Sequence, residues 1–258
     1  MKKKRKKQHR IRKICLSLLL SCFCILVGAG VFFGIRGYGL YREATAEESL
    51  EERIEKVRSI EHFTRYSEMP RFYRQAVISV EDHRFWEHYG IDPIAVTRAV
   101  WTNLKTMSFA EGGSTITQQL AKNLLFTQDK RIERKVAEVF AAFEIEAEYT
   151  KEEIFELYVN AAYFGSGYYG IYQAARGYFG KEPMELNDYE SAMLAGIPNA
   201  PSAYSPDTSK EMAFRRVKQV LDSMVRHKII TREEAGRIER ERVTFLQEYS
   251  GKWEYYCR

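Results

Sequence analysis

Glu81-Asp-His-Arg-Phe-Trp-Glu-His-Tyr-Gly-Ile-Asp92 packs acids, histidines and aromatics into twelve residues, a mixture that neither a simple core nor a simple surface requires. It follows an apolar run, Ala76-Val-Ile-Ser-Val80, and leads into Asp92-Pro93, which reads as a helix N-cap with proline at the first helical position. Downstream lies Gly112-Gly-Ser-Thr-Ile-Thr-Gln-Gln-Leu-Ala-Lys-Asn123, rich in hydroxyls and amides with one lysine, entering a helix through the capping box Thr115-Ile-Thr-Gln118. Thr150-Lys-Glu-Glu153, Thr208-Ser-Lys-Glu211 and Thr231-Arg-Glu-Glu234 read as further capping boxes. After Thr208, Phe214, Val217, Val220, Leu221, Met224 and Val225 repeat at helical spacing, and period-two alternation is nearly absent. The pattern predicts a mainly α fold.

Lys130 to Glu148 gives the clearest helical signal. With Glu138 at zero and about 100° per residue, Arg131, Arg134 and Lys135 fall within about 60° of it. Ile132, Val136, Val139, Phe140 and Phe143 fall on the opposite side, which is therefore expected to face the core. Pairing of Arg134 with Glu138 at i,i+4 explains one cation. A polyanionic ligand explains the excess, and the pattern alone leaves both open.

The formal charge of +5 divides unevenly. Residues 1–13 hold nine Lys/Arg and no acid, leaving 31 basic against 35 acidic residues in the remainder. A basic tail on a mildly acidic body is not the footprint of a nucleic-acid-binding fold. Ile14 to Ile35 then runs 22 residues without a charged side chain, roughly 33 Å of helix, which is enough to cross a bilayer. A basic flank before a single span puts the N-terminus in the cytoplasm and the rest outside. A signal peptide has a shorter apolar core, about 7–15 residues, so a retained anchor is expected. Leu19-Leu-Ser-Cys22 is faintly like a lipoprotein cleavage box, but the apolar run continues past it. Of the four cysteines only Cys257 lies beyond the span, so no internal disulfide can form outside.

Glu81, followed by Asp82 and set near Phe85 and Trp86, suits a base whose proton affinity is raised by partial burial; a solvated acidic helix end is the plainer alternative. His83 and His88 are five apart, poor spacing for one helical face, so His88 reads as a hydrogen-bonded structural histidine rather than a metal ligand. Ser114, Thr115, Thr117, Gln118, Gln119 and Asn123 supply the neutral donors and acceptors that sugars and phosphates require, with Lys122 one turn past Gln118. Trp101, Leu104, Met107 and Phe109 precede this run, and Leu124, Leu125 and Phe126 follow it. Leu104 and Leu120 are expected in the core, and Trp101 and Phe109 suit the level of lipid headgroups.

Residues 81–92 and 112–123 closely resemble the first two signature motifs of the peptidoglycan glycosyltransferases, glycosyltransferase family 51. Arg134-Lys-Val-Ala-Glu138 resembles the third, Lys151-Glu-Glu-Ile-Phe-Glu-Leu-Tyr-Val-Asn160 with Phe164-Gly165 through Gly170 the fourth, and Leu194-Ala-Gly-Ile-Pro-Asn-Ala-Pro-Ser202 the fifth. All five occur in order between about Tyr66 and Lys228, with mild departures at Val159 and Ala161. The resemblance implies a lysozyme-like helical lobe beside a smaller membrane-proximal lobe. The expected organisation is a cytoplasmic tail (1–13), a transmembrane helix (14–35), a stalk (36–60) with a helix over Glu47–Arg58, a glycosyltransferase domain (61–243) and a C-terminal tail (244–258).

Carried over, Glu81 is the general base that deprotonates the 4-hydroxyl of the acceptor sugar of lipid II, and Glu138 supports the donor side. Lys122, Lys130, Arg134 and Lys135 neutralise the leaving undecaprenyl pyrophosphate, while Asp82, Phe85, Ser114, Thr115, Gln118, Gln119 and Asn123 complete the substrate site. No cofactor is required; a divalent cation at the pyrophosphate is the one metal role left open. The implied setting is the bacterial cell membrane, with lipid II, the growing glycan strand and other cell-wall synthesis proteins as partners. Many relatives carry a transpeptidase domain with a Ser-x-x-Lys motif that this chain lacks, so it reads as monofunctional. A lysozyme-like hydrolase and a non-catalytic scaffold of wall assembly are the rival readings.

Overall fold

The computed structural model describes residues 2–107, 112–126 and 131–253. Thirteen α-helices fill the described residues in the order α1 (Lys2–Ala44), α2 (Leu50–Arg58), α3 (Arg71–Glu81), α4 (Pro93–Thr106), α5 (Ile116–Leu125), α6 (Ile132–Glu148), α7 (Lys151–Ala161), α8 (Gly170–Phe179), α9 (Asp188–Gly196), α10 (Pro201–Tyr204), α11 (Lys210–Arg226), α12 (Arg232–Arg240) and α13 (Arg242–Trp253). No strand occurs among them, only two isolated bridges. The mainly α expectation holds.

Local chemistry sets most of the helix starts. Thr115 and Gln118, Thr150 and Glu153, and Thr231 and Glu234 form the expected reciprocal capping boxes. Asp92 accepts from the backbone N–H groups of Ile94 and Ala95, with Pro93 behind it. One start differs. α11 begins a residue late, so Ser209 rather than Thr208 is the cap, accepting from Met212 N–H at 3.3 Å without a reciprocal acid.

The core is one continuous apolar cluster. α3 packs on α9 and α11, α5 packs on α6 and α7, and the side chains of Tyr73, Phe85, Phe155, Tyr158, Phe164 and Tyr189 fill the space between. α4 stands apart from this body. Ala99 is buried, while Ile94, Val100, Trp101, Leu104 and Met107 are 57, 62, 69, 68 and 88 % exposed. Leu104 is thus not the core residue expected of it, whereas Leu120 is fully buried.

One further expectation changes at the interface between α1 and α6. Among the described residues one helix, spanning Arg12–Ala44, is long and apolar enough to cross a membrane. Its end, the first part of the segment expected as a stalk, packs on α6. Gly37 lies so close to α6 that a Cβ there would stand 2.5 Å from Val136 Cγ1. Tyr38 meets the Phe140 ring edge-on at 5.2 Å, and the Tyr41 hydroxyl donates to Glu144. α2 then buries Leu50 and Ile54 in the core. Of the α6 residues expected in the core, Val136 and Phe140 therefore pack against α1, while Ile132 is 60 % and Phe143 38 % exposed. The buried side of α6 carries Ala137, Glu138, Ala141, Ala142 and Ile145, small enough for α5 to come close. Helical periodicity identifies two faces but not which neighbour each one meets.

Residues 162–170 form a tight turn closed by Phe164 N–H to Tyr168 O and Gly170 N–H to Ala162 O, both 2.9 Å. Gly165 and Gly167 both adopt positive φ, 83° and 84°. Around Gly165 a Cβ would meet Ser205 Cβ at 2.9 Å and Pro201 O at 3.0 Å, whereas Gly167 faces open space. Gly167→Ala should therefore cost only the backbone strain, about 1–2 kcal/mol. Gly165→Ala should add about 1–3 kcal/mol of overpacking. Paired thermal melts in detergent test this, and equal losses would deny the close approach.

Candidate active site

Four segments converge on one cleft: the C-terminus of α3, the first turns of α5 and α6, and the chain from Gly196 to Tyr204. A cavity of about 400 Å³ is lined there by Glu81, Ser114, Gln119, Lys122, Arg134, Lys135 and Glu138, with Pro198 and Asn199 as the far wall. A second cavity, about 570 Å³, shares Gln119, Lys122, Pro198 and Asn199 and continues past Asn123, Tyr158, Tyr163 and Ser202. The sequence-predicted residues Glu81, Ser114, Gln119, Lys122, Asn123, Arg134, Lys135 and Glu138 are thus brought together on one groove.

Glu81 is the last residue of α3, and its side chain is 5 % exposed. One carboxylate oxygen accepts from Gln119 Nε2 at 2.8 Å, and the other meets Arg216 Nη2 at 3.3 Å. Burial raises its pKa above the usual carboxylate range. The Gln119 hydrogen bond and the charges of Arg216 and Lys122 oppose that rise, and Asp82 adds to it. Tyr158 lies beneath, fully buried, its hydroxyl 3.4 Å from Gln119 Oε1.

Glu138 is 1 % exposed and is shared by two cations. Arg134 Nη1 reaches one oxygen at 3.0 Å and Lys135 Nζ the other at 2.6 Å, and Lys135 also donates to Ser114 Oγ at 2.7 Å. Burial lowers the pKa of Lys122, Glu138 opposes that fall, and Arg134 and Lys135 reinforce it. The intrahelical pair is therefore real, yet three cations line the cavity against the two carboxylates Glu81 and Glu138. The arrangement has a buried proton acceptor at one end and positive charge in excess at the other.

Four residues expected at the substrate line neither of these two cavities and are engaged within the fold. Phe85 is fully buried, with Lys151 Nζ 4.6 Å above its ring. Asp82 is 6 % exposed; it accepts from Ile116 N–H at 3.0 Å, and its two oxygens lie 3.0 and 2.8 Å from His88 Nε2. Thr115 Oγ1 donates to Gly90 O at 2.6 Å, and Gln118 closes the capping box. Asp82, Thr115 and Gln118 are spent because a polar helix entry inside a body must satisfy its own backbone. His88 is the structural histidine expected of it. Lys130 and Phe109 lie outside the described residues.

Arg216, Tyr158, Pro198 and Asn199 received no role from the sequence. Nothing local distinguishes Arg216 from Arg215, which is exposed and pairs with Glu211. Only the packing of α11 on α3 turns one of them inward.

The comparisons with known proteins fall on the same residues. A family model described as transglycosylase matches residues 47–225. Penicillin-binding protein 1A of Vibrio cholerae is 38 % identical over 249 residues, covering 91 % of this chain and 30 % of that protein. Penicillin-binding protein 1A of Aquifex aeolicus is 42 % identical over 188 residues, covering 73 % and 26 %. Penicillin-binding protein 1F of Bacillus subtilis is 46 % identical over 169 residues, covering 66 % and 24 %. The crystal structure of penicillin-binding protein 1A from Haemophilus influenzae shares 32 % identity with a TM-score of 0.34, covering 49 % of this chain and 16 % of that one. The chain thus spans under a third of the length of these relatives. The matched region contains every cleft residue named above, and the chain belongs to the transglycosylase family.

Proposed function

We propose that the chain is a peptidoglycan glycosyltransferase that polymerises lipid II into β-1,4 glycan strands. The observation that carries this is the single groove with buried Glu81 at one end and Lys122, Arg134 and Lys135 gathered around Glu138 at the other. Glu81 takes the proton from the acceptor's 4-hydroxyl as that oxygen attacks C1 of the donor. The C1–O bond to phosphate breaks with its electron pair, and undecaprenyl pyrophosphate leaves from the opposite face, inverting the centre. A base with raised proton affinity is matched to this step near neutral pH. The three cations offset the charge that develops on the leaving diphosphate, and Glu138 holds two of them in position. The chemistry needs no cofactor. Simple hydrolysis would need no diphosphate-sized group of cations, which favours transfer over the lysozyme-like alternative.

The membrane setting follows from the substrate. A polyprenyl tail resists leaving the bilayer, at about 0.8 kcal/mol per buried CH₂. α1 is the single-pass anchor, with its basic end in the cytoplasm and the cleft outside the cell membrane. The exposed apolar face of α4, from Ile94 to Met107, dips into the headgroup region and brings the groove to the lipid.

Glu81→Gln should lower lipid II polymerisation at least about 10²-fold while the protein remains folded. Near-normal turnover would remove Glu81 from the chemistry. Glu138→Gln should impair turnover and lipid II binding together, because Arg134 and Lys135 lose their common anchor. Unchanged binding would limit Glu138 to a local ion pair. For the membrane face, Trp86→Phe and Trp253→Phe leave Trp101 as the only tryptophan of three. In proteoliposomes its emission should be quenched by acyl chains brominated near the headgroup. Emission indifferent to bromolipid would place α4 in water.

A further inference from the structure

Resting on Glu81 as the base, we propose that Arg216 is its positioning residue, holding the carboxylate in place and in its charged form and registering it to the backbone wall of the groove. Arg216 lies on α11, outside the five motif-like runs, and its side chain is 12 % exposed. Its three guanidinium nitrogens reach three different partners. Nη2 meets Glu81 at 3.3 Å, Nε donates to Gly196 O at 3.1 Å, and Nη1 donates to Gln219 Oε1 at 3.2 Å. The Tyr204 ring centre lies 5.2 Å from Cζ. A planar fork that stays charged suits this arrangement, and a single ammonium cannot reproduce it.

Gly196 makes room for the arginine. Its φ is −83°, which any residue adopts, so the glycine is not there for its backbone freedom. A Cβ at 196 would stand 2.6 Å from Arg216 Cγ and 3.5 Å from Nε. The carbonyl that Arg216 grips belongs to the chain that continues into Pro198 and Asn199, the wall shared by both cavities. Base and wall are thereby fixed to one side chain.

The electrostatic need is specific. A buried carboxylate without compensating charge becomes neutral by taking a proton, and a protonated Glu81 accepts nothing from the substrate. The groups facing it are Asp82 on its own turn, Tyr73 on α3, Gln119 and Lys122 on α5, Tyr158 on α7 and Arg216 on α11. Burial pushes both tyrosine hydroxyls above their ordinary range, so they stay neutral, and Asp82 favours protonation of Glu81. Positive charge comes from Lys122 and Arg216. Lys122 is itself pushed toward neutrality by burial and divides its field between Glu138 and Glu81. A guanidinium, unlike an ammonium, keeps its charge at any working pH. Its 3.3 Å contact is long for a hydrogen bond, against 2.8 Å for Gln119, so the carboxylate is held yet still able to accept a proton.

The test is the pH dependence of kcat for lipid II polymerisation by the full chain in detergent, comparing wild type with Arg216→Met, Arg216→Lys, Gly196→Ala and Glu81→Gln. Removing the cation raises the pKa of the base, so activity is lost from the acid side. The acid limb of Arg216→Met should move up by about one pH unit or more, roughly a tenfold loss on that limb that recovers at higher pH. Gly196→Ala should move it the same way without altering either charge. Arg216→Lys should keep the limb near its wild-type position with a lower plateau. If Arg216→Met does not fold, Gly196→Ala and Arg216→Lys decide the matter. Limbs unmoved in the folded variants, with a uniform fall in rate, would overturn the proposal and leave Arg216 a structural ion pair. A wild-type acid limb surviving in active Glu81→Gln would instead overturn Glu81 as the base.

Discussion

A carboxylate taken out of water costs several kcal/mol unless it is paired or hydrogen-bonded, and this chain buries four around its cleft: Glu81, Asp82, Glu138 and Glu146. Three of them are met by donors of α5 together with one further partner, and the fourth by cations of its own helix. Asp82 takes the first turn of α5 and His88; Glu81 takes Gln119 and Arg216; Glu146 takes Thr117 and Lys151. Glu138 takes two cations from its own helix, one of which reaches on to Ser114. Satisfying these acids docks α3, α5, α6, α7 and α11 in register, and the groove is what remains between them. Moving one of these helices by a turn would leave a buried charge uncompensated.

The same arrangement separates two kinds of acid. Asp82 accepts from Ile116 N–H and lies 2.8 Å from His88 Nε2, so it works as a bracket between the first and second motif-like runs. Glu81, one residue earlier, has apolar and phenolic neighbours and only one short hydrogen bond, which raises its proton affinity. Adjacent positions at the end of α3 thus acquire different surroundings.

The long apolar helix α1 is part of the same mechanical unit. α1 continues through Tyr38 and Tyr41 onto α6, the helix that presents Arg134 and Lys135 to the groove. The long apolar helix and the cationic end of the groove are therefore linked through packed side chains.

Much of this was legible in the sequence because it depends on neighbours within one turn. The caps at Thr115, Thr150 and Thr231, the apolar span from Ile14 and the clustering of Arg134, Lys135 and Glu138 are all local, and the chain folds as they indicate. The candidate base Glu81 and the amide Gln119 were legible as chemistry too, since acid, amide and lysine occur where a plain core or surface would not place them. Which face of α6 meets the core was not legible, because periodicity is indifferent to the neighbour; α1 claims Val136 and Phe140, and Ala141 and Ala142 go inward. Nor was the division of polar residues between fold and cleft. Asp82, Thr115 and Gln118 resemble ligand-binding groups until the buried entry to α5 consumes them. Arg216, 135 residues from Glu81, was beyond any local signal. Its role exists only because α11 crosses α3 with a glycine at 196 leaving space for the side chain, a geometry that long-range packing alone decides.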